Sequence, residues 1–284
     1  MSGLPSCNSK KKVKTSRISS VMKVISWNMR RAKKESEAWS CFRQENPNIA
    51  LLQEVGEIPE DISERYSSLM KKPRKKNGGK QSFYTAILVK GEINYEIQLA
   101  LKEKWLIDAI EYFDGNLLAL NVSTEGFNNI NVASIYSPAW SIDTKVAPGF
   151  ESSKIVVSKN TDLMFYDIFL KAIQNQDFMS TEWVIAGDLN TSLKFEELHG
   201  WSNCRILIEN LEKLGLYECL KGFNNKIMPT FKHSRGSVVH QLDYMFVTQE
   251  LNECLSSCST GEDEILSHSI SDHLSIVAKF MPQE

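Results

Sequence analysis

Six short apolar runs in this 284-residue chain end on, or carry, polar groups that an ordinary buried strand does not contain. They are Ser26-Trp27-Asn28, Leu52-Gln53-Glu54-Val55, Ile135-Tyr136-Ser137-Pro138, Ala186-Gly187-Asp188-Leu189-Asn190, Gln241-Leu242-Asp243-Tyr244 and Ser271-Asp272-His273. Carboxylates and amides at the ends of apolar strands cost desolvation energy unless they are paired or bound to a cation. Strand C-terminal ends are also where α/β proteins place their ligands. Each segment alone is a weak signal, because a lone Gly-Asp-x-Asn is usually a turn and a lone Asp-His usually a surface pair. Their order and combination carry the weight.

Around these segments the pattern alternates between strand-like and helix-like stretches. Strands are expected over residues 23–28, 49–55, 82–89, 92–101, 106–113, 117–123, 130–136, 181–186, 239–247 and 274–280. Helices are expected over 35–45, stopped by Pro47, and over 59–70, 162–174 and 203–214, the last ended by Gly215. Asp114-Gly115-Asn116 reads as a hairpin turn, 137–161 as irregular, and 71–80 as a loop by its Pro and Gly content. Strands in meanders with separated helices imply an α/β fold of two sheets flanked by helices. One domain is expected over 22–284. It follows a basic, disordered tail over 1–21 that is rich in Ser and Lys and has no hydrophobic period.

Charge narrows the choice of partner. Residues 1–34 hold ten Lys or Arg and no acid, whereas the other 250 residues carry 23 basic against 35 acidic groups, a net of −12. A body this acidic does not coat nucleic acid by bulk charge, but it suits a site that holds a divalent cation. The basic groups that could grip a phosphate backbone are local: the arm containing Lys10–Lys14, and the loop 71–80 with Lys75 and Lys76 at its centre. No run of about eighteen apolar residues is present, so no membrane span is expected. The first twenty residues lack the apolar segment of a secretory signal. The expected location is intracellular and cytoplasmic, with a nuclear address as the alternative reading of the basic arm. The six cysteines are scattered without a C-x-x-C pair, which reads as reduced thiols rather than structural zinc.

The polar set has the chemistry of phosphodiester hydrolysis. Glu54 and Asp272 are hard oxygen ligands suited to Mg²⁺ or Mn²⁺. Asp188 can orient or deprotonate an attacking water. His273, oriented by a buried Asp243, can meet a phosphate as an imidazolium. Asn28, Asn190 and Tyr136 can donate or accept at metal and phosphate oxygens.

The series S-W-N, L-L-Q-E, Y-x-P, G-D-L-N, L-D-Y and S-D-H, in that order from Met22 to Phe280, resembles the endonuclease/exonuclease/phosphatase superfamily. That superfamily includes deoxyribonucleases, apurinic/apyrimidinic endonucleases, sphingomyelinases, inositol polyphosphate phosphatases and deadenylases. The resemblance implies a four-layered α/β sandwich, the deoxyribonuclease-like fold, in which two packed mixed sheets are flanked by helices. It implies that Asn28, Glu54 and Asp272 hold the metal and that Tyr136 bonds the phosphate. Asp188 and Asn190 would position the water, and His273, backed by Asp243, would stabilise the transition state. Arg30 stands two residues after Asn28, where deoxyribonuclease-like members touch phosphate and many repair endonucleases carry an acid or amide. Ala139-Trp140 follows Pro138 in place of the usual Asn, and Gln241 replaces an Arg common two residues before the strand Asp. The expected function is metal-dependent hydrolysis of phosphate esters by a monomeric nuclease acting on nucleic acid. The alternatives are an enzyme acting on a lipid headgroup or small phosphorylated molecule, and a binding module on the same fold.

Overall fold

The computed structural model describes residues 21–143, 163–199, 203–233, 238–267 and 269–282. In chain order the elements are β1 (Met22–Ala32), α1 (Ala38–Glu45), β2 (Ile49–Val55), α2 (Glu60–Ser63), β3 (Ser67–Lys71), β4 (Tyr84–Val89), β5 (Gly91–Glu96), α3 (Lys104–Tyr112), β6 (Leu117–Thr124), β7 (Phe127–Tyr136), α4 (Phe165–Ile173), β8 (Trp183–Asp188), α5 (Leu193–His199), α6 (Asn203–Lys213), β9 (Tyr217–Glu218), α7 (Cys219–Asn224), β10 (Phe231–Lys232), β11 (Val238–His240), β12 (Asp243–Val247), α8 (Gln249–Cys254), β13 (Leu255–Thr260), α9 (Glu264–Ser267) and β14 (Ile276–Phe280).

Two mixed six-stranded sheets form the centre. The first runs β13-β14-β1-β2-β4-β3 and the second β5-β6-β7-β8-β12-β9. Side-chain parity explains how they stack. On β1 and β2, Met22, Val24, Ile49 and Leu51 face the second sheet and pack with Val132, Val184, Ala186, Met245 and Val247. The alternate positions Ile25, Trp27, Ala50 and Leu52 face outward, onto Trp39 and Phe42 of α1, Ile62 of α2 and Ile265 of α9. On the second sheet Ile135, Ile185 and Phe246 face outward beneath α3, α4 and α6. Each strand face thus buries apolar area, at roughly 1.5–3 kcal/mol per large side chain, and the result is helices, sheet, sheet, helices. The expected four-layered sandwich is the observed fold.

Several expected elements differ. Where a strand is expected over 106–113, helix α3 runs instead and is capped by Phe113: Trp105, Ala109 and Phe113 are buried at i, i+4 spacing, a helical period. Asp114-Gly115-Asn116 therefore leads from a helix into β6 and is no hairpin. The hairpin turn between β6 and β7 falls at Glu125-Gly126, where Gly126 has φ 79°. The helix expected over 59–70 stops after one turn, and 67–71 pair with β4 as an edge strand. The strand expected over 239–247 is split at Gln241-Leu242, so β11 pairs with β10 while β12 joins the second sheet. Strand β13 has no sequence signal, because Leu255–Thr260 is a polar edge strand. The stretch expected to be irregular falls largely on 144–162, outside the described residues, as do residues 1–20 of the expected tail. No helix among the described residues is long and apolar enough to cross a membrane.

Candidate active site

The interface between the sheets is apolar along most of its length and turns polar at one edge. The period of two that places Val24 and Leu51 inside also places Ser26, Asn28 and Gln53 inside, one or two steps further along the same strands. On the second sheet the same period carries Val184 and Ala186 to Asp188, and Val132 to Ser134 and Tyr136. Hydrogen bonds cross between the sheets here: Gln53 Nε2 donates to Ser134 Oγ at 3.1 Å, and Asn28 Nδ2 to Asp188 Oδ2 at 3.1 Å. The site is the place where the hydrophobic interface ends.

Asp188 closes β8 and lies directly opposite Asp243, which opens the antiparallel β12. Both are buried, at 1% and 0% exposure. Two carboxylates in that position repel, and His273 resolves the conflict. Its Nδ1 lies 2.8 Å from Asp243 Oδ2, and the ligating atoms of Asp188, Asp243 and His273 all fall within 4.8 Å of one another. Burial opposes charge on the imidazole, but Asp243 and then Asp188 outweigh it and raise its pKa to about 10. Asp243 and His273 thus form a charge-paired dyad with Asp188 beside it, and the three side chains also lie close enough together to hold a cation.

Asp188 is oriented as an acceptor. Its Oδ1 receives the Asn190 backbone N–H at 2.9 Å, and Oδ2 receives the side-chain amides of Asn28 and Asn190, each at 3.1 Å. Burial pushes this carboxyl up, and the His273 charge pulls it back. The three donors fit the ionised form, so the proton shared by the pair rests on the imidazole. Asn190, at φ 49°, also donates to the Ser137 carbonyl at 2.7 Å. Gly187 just before Asp188 is required by close approach: a Cβ there would lie 2.0 Å from the Ile135 carbonyl oxygen, at φ 150°.

His273 arrives on the chain that leads into β14. Ser271 Oγ donates to the Asn28 carbonyl at 2.7 Å and accepts the His273 N–H at 3.1 Å. Trp27 Nε1 donates to the His273 carbonyl at 2.9 Å, and the Phe231 ring lies 4.8 Å from the imidazole. Thr230, wholly buried, donates to Asp243 Oδ2 at 2.7 Å. No sequence pattern marks Thr230; it is found only once β10 is seen to run beside His273.

Glu54 reaches the site by a different route. Parity alone would send it outward with Ala50 and Leu52. Instead, residues 29–31 of β1 bulge opposite Glu54 of β2, so that pairing jumps from Asn28–Gln53 to Ala32–Val55. Arg30, Arg31 and Glu54 all take left-handed φ, at 47°, 61° and 51°. Such residues cost about 1 kcal/mol or more each. The result turns Glu54 toward the second sheet, where Tyr136 Oη donates to its Oε1 at 3.2 Å. Burial raises the Tyr136 pKa, so the phenol keeps its proton and remains a donor. Burial also raises the Glu54 carboxyl; Arg31 and Tyr136 oppose this, and Asp272 adds to it, which places the two carboxylates in one field. Glu54, half-buried Asp272 and the Asn28 amide oxygen, which also accepts the Arg30 N–H at 3.1 Å, are hard-oxygen donors of the kind that suit a divalent cation.

The basic residues lie at the rim. Arg30 is exposed and donates from Nη1 to the Ser269 carbonyl at 3.2 Å. The β3–β4 connection leaves the sheet at the Glu54 edge, since Tyr84 pairs with Val55 and Lys71 with Thr85. It is better anchored than a solvated loop: Lys71 pairs with Glu96, Lys80 with Asp114, and Arg74 stacks on Tyr112 at 4.1 Å. Lys75 and Lys76 within it are exposed. Trp140 packs against the outer core of the second sheet.

This architecture is that of a phosphoester hydrolase, and the comparisons agree. The model of the Endonuclease/Exonuclease/phosphatase family matches residues 25–273. The chain belongs to that family, whose members hydrolyse phosphate esters and generally depend on divalent metal. No curated protein matches it. Among solved structures it is similar to an AP endonuclease from Archaeoglobus fulgidus, at 19% identity and TM-score 0.65 over 91% of this chain and 99% of that one. The 3′ phosphatase NExo from Neisseria, bound to a product DNA hairpin, matches at 16% identity and TM-score 0.61 over 91% and 99%. The endonuclease domain of TRAS1, a telomere-specific non-LTR retrotransposon, matches at 15% and 0.56 over 93% and 100%.

Proposed function

We propose that the protein is a Mg²⁺- or Mn²⁺-dependent nuclease that cleaves phosphodiester bonds by attack of water, with residues 22–284 as its catalytic domain. What supports this reading is the buried Asp188–Asp243–His273 cluster, bonded to Asn28 of the first sheet, with Glu54 and Asp272 sharing one electrostatic field. The metal supplies charge neutralisation at the phosphate when it is bound. The remaining chemistry belongs to the chain. Asp188, held ionised by three N–H donors and made more basic by burial, takes the proton of the attacking water. Asn190 fixes the position of that water. Tyr136 and imidazolium His273 donate to phosphate oxygens as negative charge grows in the transition state. Asp243 keeps the imidazole charged and aimed.

Nucleic acid is favoured over a small phosphate ester by the rim. Arg30 in the β1 bulge, and Lys75 and Lys76 in the β3–β4 connection, are exposed cations carried by the first sheet at its Glu54 edge. They extend phosphate contacts beyond the one being cleaved, which a long polyanion uses and a small substrate does not. DNA is the bound product in one structural neighbour, which is consistent with this choice. The test is a substrate panel with purified protein and Mg²⁺: supercoiled DNA, single-stranded DNA, abasic duplex, RNA, 3′-phosphorylated DNA, sphingomyelin and inositol phosphates. Nucleic-acid cleavage is expected. Turnover confined to lipid or inositol phosphates would overturn the substrate, and ligand binding without any turnover would overturn the enzyme.

A further inference from the structure

Arg31 has no place in the mechanism above, yet it is built into the metal-site strand. It follows Arg30 in the β1 bulge, at φ 61°, with two-thirds of its side chain exposed. Its Nε lies 3.6 Å from Glu54 Oε2, and its guanidinium sits 5.4 Å over the Phe83 ring. Phe83 is buried and stands edge-on to Tyr136 at 5.3 Å; Tyr136 in turn donates to Glu54 Oε1. The four side chains, Glu54 included, form one closed chain of contacts. One carboxylate oxygen faces a phenol and the other a cation.

The energetics of that ring set its function. A carboxylate with 18% side-chain exposure beside Asp272 needs a counter-charge when no divalent ion is present. Arg31 supplies one at low cost, because its own side chain stays hydrated. The contact is long and exposed, so it is weak and exchangeable. A divalent ion bound at Glu54 would take over the carboxylate and repel the guanidinium. The freed guanidinium would be left beside the Phe83 ring, with donors that match a phosphate.

We propose that Arg31 is a charge placeholder: it neutralises Glu54 before the metal binds and then exchanges onto a substrate phosphate next to the one that reacts. Arg31 is thereby a positioning and substrate-binding residue distinct from Arg30, whose guanidinium is directed to Ser269. The substrate half of the inference rests on the nuclease reading; the Glu54 half does not.

The experiment compares wild-type protein with Arg31→Ala and Arg31→Lys. Mn²⁺ affinity is measured by electron paramagnetic resonance on protein free of substrate. Kinetics are measured on an oligonucleotide and on bis(p-nitrophenyl) phosphate, a minimal diester with no neighbouring phosphate. Because Arg31 is exposed, the variants keep the far-UV circular dichroism of the wild type. Arg31→Ala is expected to tighten Mn²⁺ binding by about threefold to tenfold, by removing a competing cation. It should raise KM for the oligonucleotide by about tenfold with kcat little changed, and leave KM for the minimal diester nearly unaltered. Arg31→Lys should restore the wild-type Mn²⁺ affinity and part of the oligonucleotide KM, since it keeps charge but not the planar fork. Unchanged Mn²⁺ affinity in Arg31→Ala would overturn the placeholder, and unchanged oligonucleotide KM would overturn the exchange. Wild-type protein that cleaves the minimal diester but no nucleic acid would refute the nuclease reading and the phosphate exchange, while the Mn²⁺ result would still decide the Glu54 pairing.

Discussion

The two sheets contribute to the same site by opposite means. The second sheet supplies Asp188 and Asp243 from regular, paired, buried strands, and His273 offsets one of their two charges from within. The first sheet supplies Glu54 from a bulge, on left-handed backbone, with its carboxylate partly open to solvent and countered by exposed Arg31. The buried half is a coupled unit whose members set each other's protonation. The open half is a set of separable charges. On the proposed mechanism, the groups that hold a fixed proton distribution sit where the dielectric is low, and those that would exchange partners sit where water can follow them.

The sharpest way to break this contrast is to remove the metal. Activity should vanish in chelator and return with Mg²⁺ or Mn²⁺, while the circular dichroism spectrum and melting transition stay nearly constant, because the open half carries no core packing. Unfolding on chelation would show that the ion is structural and the contrast mistaken.

Next in size is the buried half. His273→Ala should lower kcat by at least about a hundredfold with KM nearly unchanged. Asp243→Asn should lower it by less, and the double variant should fall well short of the product of the two single effects, since the pair acts as one unit. The imidazole keeps its proton up to about pH 10 against an ordinary 6.5. Its stabilising contribution is therefore complete below about pH 6.5 and disappears as pH rises through 10. Asp243→Asn removes the largest upward cause, so the alkaline limb of the pH–rate profile should move toward neutral pH. Multiplicative effects, or an unmoved limb, would mean the two residues titrate independently.

The smallest effect is expected at the rim. Lys75→Ala and Lys76→Ala should each flatten the slope of log affinity against log salt by about one unit, the share of a single neutralised phosphate, with little change in turnover at saturation. An unchanged slope would confine recognition to the bulge and the sheet edge.

The two halves were unequally legible in the sequence. Asp188, Asp243 and Asn28 stand out because they are polar groups at the ends of, or inside, apolar runs whose burial is plain. Glu54 stands out only as part of a series: its parity points the wrong way, and nothing local announces the bulge that corrects it. Arg31 and Thr230 act through contacts between distant segments, β1 with β2 and β10 with β12, so no local pattern singles them out. The same limit explains α3 and β3. Leu106–Phe113 has enough apolar residues to read as a strand until the spacing of Trp105, Ala109 and Phe113 is counted, and Ser67–Lys71 becomes a strand only because β4 offers an edge to pair with.

The bulge at Glu54 can also be regarded as a phase shift. A strand carries a two-letter code, inside and outside, and an uninterrupted strand cannot present consecutive residues to the same side. Gln53 and Glu54 are consecutive, and both serve the interior. Gly56 lies one residue beyond β2 and is crowded against the first strand: a Cβ there would meet the Ala32 and Arg31 carbonyl oxygens at 2.7 and 2.8 Å. The short segment from Glu54 to Gly56 thus behaves like a frameshift followed by its correction. Deleting one residue from it would leave the apolar sandwich readable and scramble the message at its end.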